Sequence, residues 1–361
     1  MTTFRTMSLA PLVGHDAARL DVLRAIASDA LPQVVLLTGP QGVGKQRFAL
    51  WLAQRLMCSA KAGEPCGQCS GCLRVLGLAH PDVHWFVPVL RPKAGEPEKQ
   101  IDETAEMLGA VIAERRSQPL WGAPDGMASH GIASARLVQR RASLTAAEGG
   151  WRVFIIGRAE RLVPQESSPE AANALLKLLE EPPARTLFVL TTAEPGLVLP
   201  TIRSRAVPLR LGKLDDDAVR GFLKAQKPEL ATDQVVTAAR GSIGLALMTG
   251  DDTRAKALRA AQEFLAAVAD GPASATERAL RQLPWQARGD FTALLDALAE
   301  TLAAQARSAL TGQGRSAISD PTAKLAGVER VMAAREQAQG NVNPQLLLAV
   351  LADELAMLEA A

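Results

Sequence analysis

The stretch that decides the fold covers residues 33–46 and reads QVVLLTGPQGVGKQ. Its first half is a short apolar run rich in branched residues, which predicts a buried strand. The second half has the pattern Gly39-x-x-x-x-Gly44-Lys45, and residues 47–57 then show helical spacing without a breaker. A strand, a glycine loop, a lysine and a helix in this order predict a phosphate-binding loop, because backbone N–H groups at a helix N-terminus can surround phosphate oxygens.

The glycines and the lysine of this loop are the candidate nucleotide-binding residues: Gly39, Gly42, Gly44 and Lys45. Lys45 is expected to reach the outer phosphates. The next position usually supplies a Ser or Thr hydroxyl to Mg²⁺, but it is Gln46 here. Because an amide is longer and differently placed, we expect a degenerate loop without Mg²⁺ and leave ATP binding open. The alternative is a glycine-rich turn that binds nothing.

A second part of the magnesium site is also missing. The strand predicted over residues 151–156 runs into Gly157 and Arg158. In a phosphate-loop NTPase a later strand ends in acids that hold Mg²⁺ and activate the attacking water. Glu160 lies beyond the strand end and is expected to point elsewhere. Two independent losses in one function predict that the chain does not hydrolyse ATP by itself.

All four cysteines lie close together, in the pattern C-x₇-C-x₂-C-x₂-C, and they are Cys58, Cys66, Cys69 and Cys72. Two overlapping C-x-x-C steps can place three thiolates around one ion, with Cys58 on the preceding helix as the fourth ligand. Four soft ligands in tetrahedral geometry suit a closed, structural Zn²⁺ site. A redox pair and a metal-free loop of buried thiols are the alternatives.

Composition sets limits on the class of protein. The 361 residues carry a formal net charge of +2, so charge alone argues neither for nor against nucleic acid. The first residues lack the apolar core of a signal peptide, and no apolar run approaches about 18 residues. We therefore expect a cytoplasmic protein that does not enter a membrane and has no disulfides.

The pattern of elements changes along the chain. Strands and helices alternate as far as about residue 212, and only helices are predicted from Lys213 onward. Such alternation is typical of a parallel α/β sheet. A polar segment with many prolines and glycines, from about Leu90 to His130, interrupts the alternation, and its role is left open. A helix is expected inside it, over residues 101–116.

Four motifs occur in one order: the phosphate loop, the cysteine pattern, the run NALLKLLEEPP over residues 173–183, and Ser204-Arg205. In this order they resemble the clamp-loader subunits of the bacterial DNA polymerase III holoenzyme, which belong to the AAA+ superfamily. The motifs cover most of residues 9–250. Over the remaining C-terminal residues the resemblance consists of helical character alone.

The resemblance implies a fold of three parts. An α/β AAA+ P-loop domain with a parallel sheet would cover residues 1–212 and contain the zinc module at 58–72. A small helical lid would cover 213–250, and an all-α C-terminal collar for oligomerisation would cover 251–361. The lid arginine of the ATP-hydrolysing members is expected near Gly244 and is not evident there. The pattern therefore looks like a non-hydrolysing, stationary member.

In this family the arginine of the Ser-Arg motif reaches the γ-phosphate of ATP bound by a neighbouring subunit. The resemblance places that arginine finger, acting in trans, at Arg205, with Arg203 as the competing candidate and a surface salt bridge as the alternative reading. A guanidinium there neutralises charge that develops in phosphoryl transfer. The implied partners are the motor and delta subunits, with the sliding clamp contacted indirectly and primer-template DNA only weakly or within the complex.

Further residues carry weaker expectations. Arg136, Arg140 and Arg141 could line a DNA channel or form a solvated helix face. Thr191 and Thr192 stand where the family has its first sensor, although a structural strand end is favoured there.

Two rival functions stay open at this level. One is a motor-type AAA+ ATPase in which Gln46 and Glu160 replace the missing groups. The other is a zinc-stabilised DNA-binding module, which should bind DNA tightly and in a salt-sensitive way by itself.

Overall fold

The computed structural model describes residues 9–10, 12–60, 63–93, 95–118, 120, 128–148, 150–162, 170–248, 252–282, 288–311, 321–338 and 342–360. The chain divides into two compact units. The described residues up to Met248 form the first unit, and the described residues from 252 onward form the second.

The first unit is built on one parallel sheet. Its strands are β1 (Val34–Thr38), β2 (Val83–Phe86), β3 (Arg152–Ile156), β4 (Thr186–Thr192) and β5 (Val207–Arg210). The strands are hydrogen-bonded in the order β2-β3-β4-β1-β5. Residues of β3 and β4 are buried throughout, as expected for central strands that are covered on both faces. The predicted parallel α/β sheet is confirmed.

The register brings the carboxyl ends of three strands to one edge of the sheet. Thr38 of β1 pairs with Thr192 of β4 on one side and with Arg210 of β5 on the other. In an open parallel sheet, ligands bind beyond the carboxyl ends of the strands. The phosphate loop follows β1 directly and therefore lies at this edge.

Helices cover both faces of the sheet and continue beyond it. They are α1 (Asp16–Ala27), α2 (Lys45–Met57), α3 (Ser70–Leu76), α4 (Pro97–Ser117), α5 (Ile132–Ala142), α6 (Glu170–Glu180), α7 (Pro200–Arg203), α8 (Asp216–Gln226), α9 (Asp233–Ala239) and α10 (Ile243–Met248). The sequence pattern did not predict α3. This short helix begins immediately after Cys69, whose sulfur accepts a hydrogen bond from the backbone N–H of Cys72 and so caps it.

The segment between β2 and β3 contains α4 and α5. An antiparallel bridge between Val89 and Ser129 closes the base of the segment. Helix α4 is longer than the helix predicted over residues 101–116, and it packs against α5. Its buried residues form a stripe along one side: Ile101, Thr104, Leu108 and Arg115. Helices α4 and α5 are therefore packed parts of the first unit.

Helices α8, α9 and α10 form a small helical part at the end of the first unit. They bury a core of their own, which includes Val219, Leu223, Val236 and Ala246. Asp215 and Thr232 cap the first two of these helices by accepting backbone N–H groups.

The second unit is entirely helical in its described residues. Its helices are α11 (Asp252–Asp270), α12 (Pro272–Leu280), α13 (Arg288–Thr311), α14 (Pro321–Gln337) and α15 (Pro344–Ala360). Phe264, Leu298 and Leu348 are fully buried in its core. Asn343 accepts the backbone N–H of Gln345 at the start of α15. Among the described helices none is long and apolar enough to cross a membrane.

Candidate functional site

The phosphate loop has the backbone conformation that its glycines permit. Gly39, Gly42 and Gly44 have φ angles of 145°, 74° and 106°, in the region that favours glycine. The loop leads directly into α2, whose first residue is Lys45. All four predicted nucleotide-binding residues are therefore brought together in one loop.

Lys45 binds its own loop. Its Nζ donates hydrogen bonds to the carbonyl oxygens of Gly39 at 2.8 Å and Pro40 at 2.7 Å. Burial lowers the pKa of Lys45 to about 8, and the charge of Glu160 opposes part of this shift. The lysine is thus held within the loop.

Glu160 does not point away from the loop, contrary to expectation. A 3₁₀ turn over Ala159–Leu162 follows β3 and carries its side chain inward, where it is only 8% exposed. Its Oε1 lies 3.6 Å from the Nε of Arg158, and its charge raises the pKa of Lys45. Glu160 therefore lies between Arg158 and Lys45, with one carboxylate oxygen facing the arginine.

The magnesium side of the loop is filled by protein groups. Gln46 lies directly over Gly157, because a Cβ atom on Gly157 would come within 2.7 Å of the Gln46 Nε2. The Oε1 of Gln46 lies 3.4 Å from the Nη1 of Arg115, which donates to it from α4. The Arg115 guanidinium also lies 4.4 Å from the ring centroid of Trp85.

Sequence reasoning missed Arg115. A signal was present, since Arg115 continues the helical stripe of Ile101, Thr104 and Leu108 toward the core. An arginine on a buried stripe is unusual unless its charge has a partner. The pattern alone does not reveal which residues that charge meets.

The small helical part closes the other side of the loop. The Ser242 hydroxyl donates to the Gln41 carbonyl at 2.9 Å, and the Gly244 N–H donates to the Gly42 carbonyl at 2.9 Å. A Cβ on Gly244 would approach the Gly42 Cα to 2.5 Å. The position where a lid arginine is expected therefore holds a glycine because the two backbones touch there.

The four cysteine sulfurs lie within 4.8 Å of one another. Helix α2 ends at Met57, so Cys58 follows that helix instead of lying on it. Tetrahedral Zn²⁺ with thiolate ligands has sulfur–sulfur separations of about 3.8 Å. The Cys58 and Cys69 sulfurs are 3.9 Å apart, and the cluster is compatible with such a site.

Backbone N–H groups support the negative charge of these sulfurs. Cys58 Sγ accepts from the N–H groups of Ala60 and Cys66, and Cys66 Sγ accepts from that of Cys69. The N–H of Cys72 holds the pKa of Cys69 well below its usual value, whereas burial raises the pKa of Cys72. The donor set suits a thiolate-binding metal such as zinc.

The cysteine loop is tied to the first two helices through Glu64. Its carboxylate accepts from the Trp51 Nε1 at 2.7 Å and pairs with Arg19 at 2.9 Å. The loop that carries Cys66 and Cys69 is thereby fixed to the core of the first unit.

Arg205 lies just after α7 and is held in place by two groups. Its Nη2 forms an ion pair with Glu180 Oε1 at 2.7 Å, and its Nη1 donates to the Thr201 carbonyl at 2.8 Å. The side chain is 27% exposed, whereas Arg203 is an exposed residue. Both readings of Arg205 thus persist: the salt bridge exists, and the guanidinium lies at the surface.

The three arginines of α5 do not form one basic surface. Arg140 pairs with Asp102 at 2.9 Å and lies 3.8 Å from Glu98. The Arg141 guanidinium lies 5.4 Å from the ring centroid of Phe86 and is partly buried. Arg136 is exposed. These contacts leave both expectations for the cluster open, the DNA channel and the solvated helix face, with Arg136 and Arg140 exposed on α5.

The sensor-position threonines are buried and bind backbone. Thr191 Oγ1 accepts from the Arg158 N–H at 3.3 Å, and Thr192 Oγ1 accepts from the Glu194 N–H at 3.0 Å. Thr191 of β4 therefore holds the turn that follows β3, whereas Thr192 holds the turn that follows β4.

The sheet order, the phosphate loop after β1 and the helical part against that loop define an AAA+-like P-loop protein. Residues 15–215, more than half of the chain, match the family model described as DNA polymerase III, delta subunit. The chain therefore belongs to this family, and its resemblance to the delta-prime subunits of the clamp loader is confirmed.

Individual relatives agree with this assignment. The chain is 32% identical to the DNA polymerase III subunit delta' of Pseudomonas aeruginosa over 48% of this chain and 40% of the relative. It is 30% identical to that of Bacillus subtilis over 56% and 49%. The gamma/tau subunit of Mycobacterium bovis is 28% identical over 87% of this chain and 46% of the relative. The chain spans about half the length of the curated relatives it matches.

Proposed function

We propose that this protein is a non-hydrolysing, stator-like subunit of the DNA polymerase III clamp loader. In that role it helps the ATP-dependent loading of the sliding clamp onto primed DNA during replication. It supplies Arg205 to an ATPase neighbour. Zinc at the four cysteines is structural and stabilises the first unit.

One observation carries the non-hydrolysing part of the proposal. The place of the metal-binding hydroxyl and the place of the strand-end acid are taken by Gln46 and Gly157, which lie against each other. Phosphoryl transfer in P-loop enzymes depends on Mg²⁺ to neutralise the developing charge and on a group that positions the nucleophile. Gln46 and Gly157 carry neither the hydroxyl nor the carboxylate that these roles use, and Glu160 faces Arg158 at 3.6 Å.

Arg205 supports the second part of the proposal. Its backbone is fixed by α7, and the Glu180 carboxylate and the Thr201 carbonyl hold the guanidinium at the surface. A guanidinium held in this way can meet a γ-phosphate across a subunit boundary with little loss of side-chain entropy. An arginine supplied in trans accelerates hydrolysis on the order of 10³-fold.

The partners follow from the same role. Other clamp-loader subunits, of the ATPase motor and delta types, would contact the first unit and the helical second unit. The sliding clamp would be contacted indirectly. With a formal net charge of +2, with Arg140 paired to Asp102 at the surface and with Arg141 packed on Phe86, direct binding to primer-template DNA should be weak outside the complex.

The test is reconstitution of the complex with Arg205→Ala in this subunit. The variant should fold and assemble. The DNA-stimulated ATPase rate at the neighbouring site should fall on the order of 10³-fold, and the clamp-loading rate should fall with it. Arg203→Ala is the matched control, since Arg203 is an exposed arginine two residues away. Equal rates for wild type and Arg205→Ala would refute the trans arginine, and a loss confined to Arg203→Ala would move the role there.

The runner-up function is a motor-type ATPase, and specific observations favour it. The match to a gamma/tau subunit covers 87% of this chain. Glu160 lies close enough to Lys45 to raise its pKa, and a cavity of about 290 Å³ is lined by His15, whose Nε2 lies 2.8 Å from the Val43 carbonyl of the loop. This candidate requires Mg²⁺-dependent turnover by the isolated chain, whereas the stator predicts none.

A further inference from the structure

Helix α4 has no part in the proposed function. It belongs to the segment between β2 and β3 and carries 21 residues. Its buried stripe of Ile101, Thr104 and Leu108 reaches the core, and the last member of that stripe is Arg115. An arginine at the end of an otherwise core-facing stripe needs an explanation, because burying a charge is costly without compensating contacts.

The guanidinium group of Arg115 lies next to the phosphate loop. It stacks on Trp85 and donates to Gln46 Oε1. Burial lowers the pKa of Arg115 to about 10, so the group stays charged at neutral pH. A buried positive charge therefore lies beside the position that should carry the metal-binding hydroxyl.

Gln46 connects this charge to β3. Its amide occupies the space above Gly157, where a Cβ atom would meet the Gln46 Cδ at 3.0 Å and the Nε2 at 2.7 Å. Glycine at 157 and glutamine at 46 are therefore complementary in shape. The Arg115 contact holds the glutamine in the orientation that requires the glycine.

We propose that α4 acts as a latch that keeps the magnesium side of the phosphate loop closed. The latch consists of Arg115, Gln46 and Gly157, one residue each from α4, α2 and the end of β3. Arg115 is a positioning residue: it fixes Gln46 and supplies a protein-borne positive charge beside the place of the metal. The latch goes beyond the stator role and does not depend on the assignment of Arg205.

The latch has a consequence that simple loss of two ligands does not have. If only the ligands were missing, Gln46→Thr with Gly157→Asp would restore a magnesium site. With the latch, the new carboxylate would pair with the Arg115 guanidinium, and the same guanidinium would repel Mg²⁺ at short range. Magnesium binding would then return only after Arg115 is also replaced.

The experiment measures the affinity of a fluorescent ATP analogue with and without Mg²⁺ in three full-length variants. The first carries Gln46→Thr and Gly157→Asp. The second adds Arg115→Leu. The third adds Arg116→Leu instead, a matched control, because Arg116 binds the Leu78 carbonyl.

Mg²⁺ should change the affinity of the first and third variants for the ATP analogue by no more than about twofold. It should raise the affinity of the second variant at least about tenfold, which is the size of effect that residues around metal ligands have on metal binding. The latch is overturned by a folded second variant without a Mg²⁺ effect. It is equally overturned if the first variant already shows the full effect.

A cycle in the wild-type background tests the latch even if those variants fold poorly. Gly157→Ala should lower the midpoint of urea unfolding in wild type and lower it much less in a Gln46→Ala background. Arg115→Leu should accelerate amide exchange over residues 41–46, whereas Arg116→Leu should not. The latch is contradicted if Gly157→Ala and Gln46→Ala lower the urea midpoint additively. It is also contradicted if Arg115→Leu leaves the amide exchange of residues 41–46 unchanged.

Discussion

The two ends of α2 carry the two candidate metal sites that the sequence indicates. At the C-terminal end, four cysteine sulfurs lie within 4.8 Å of one another, and backbone N–H groups point at them. At the N-terminal end, the phosphate loop keeps its glycines and Lys45, while Gln46 and Gly157 stand in the places of the metal ligands. One end has the complete donor set, and the other has lost it.

The comparison indicates how metal ligands can be replaced while the fold is kept. A structural site stabilises the folded chain, so its ligands must stay together. At the other end, the space of the missing groups is filled by Gln46, and Ser242 and Gly244 of the helical part bind the outer loop carbonyls. The loop therefore stays ordered by protein contacts that replace those of a ligand.

The largest expected effect is at the cysteine end. Cys69→Ser should lose bound zinc and destabilise the first unit by about 4 kcal/mol or more, the scale of lost structural metals. Metal content and the midpoint of thermal unfolding measure both consequences. Ser70→Ala, at the exposed neighbour, is the control and should keep both values. If purified wild-type protein contains no bound zinc, the cysteine end of α2 is not a metal site.

A smaller effect is expected where the helical part meets the phosphate loop. Gly244→Ala should cost about 2 kcal/mol of unfolding free energy, because its Cβ would approach the Gly42 Cα to 2.5 Å. Gly221→Ala is the control: that glycine is exposed in α8 with no atom within 4 Å, and the change should stabilise by roughly 0.5–1 kcal/mol. Equal urea midpoints for both variants would show that the contact is not tight.

The smallest effect concerns the charge of Lys45. Its pKa falls from 10.5 to about 8 on folding, so between these values the unfolded chain binds more protons. Stability from this group therefore rises as the pH increases through that window. Relative to Lys45→Met, wild type should gain on the order of 1–2 kcal/mol between pH 7.5 and 10. Urea unfolding at both pH values measures the gain, and a constant difference would contradict it.

The sequence predicts much of the fold because each element has a local signal. Helix α2, predicted over residues 47–57, covers Lys45–Met57, and strand β3, predicted over residues 151–156, covers Arg152–Ile156. Their signals are a helical apolar stripe and a continuous apolar run. Helix α3 escaped prediction because its capping group is a cysteine side chain, which the usual cap residues do not include.

The candidate site is less predictable because its contacts are long-range. The loss of the magnesium ligands could be read from Gln46 and Gly157 directly. Their mutual contact, the approach of Arg115 and the inward turn of Glu160 could not. These contacts join segments that are far apart in the chain. The spacing of residues along the sequence does not show which segments meet.

The most direct measurement is ATP hydrolysis by the isolated full-length chain, with and without Mg²⁺, beside Lys45→Ala. We predict no turnover above the level of Lys45→Ala in either condition, because the magnesium side of the loop is filled by Gln46 over Gly157. Mg²⁺-dependent turnover that is lost in Lys45→Ala would contradict this and would identify the protein as a motor subunit.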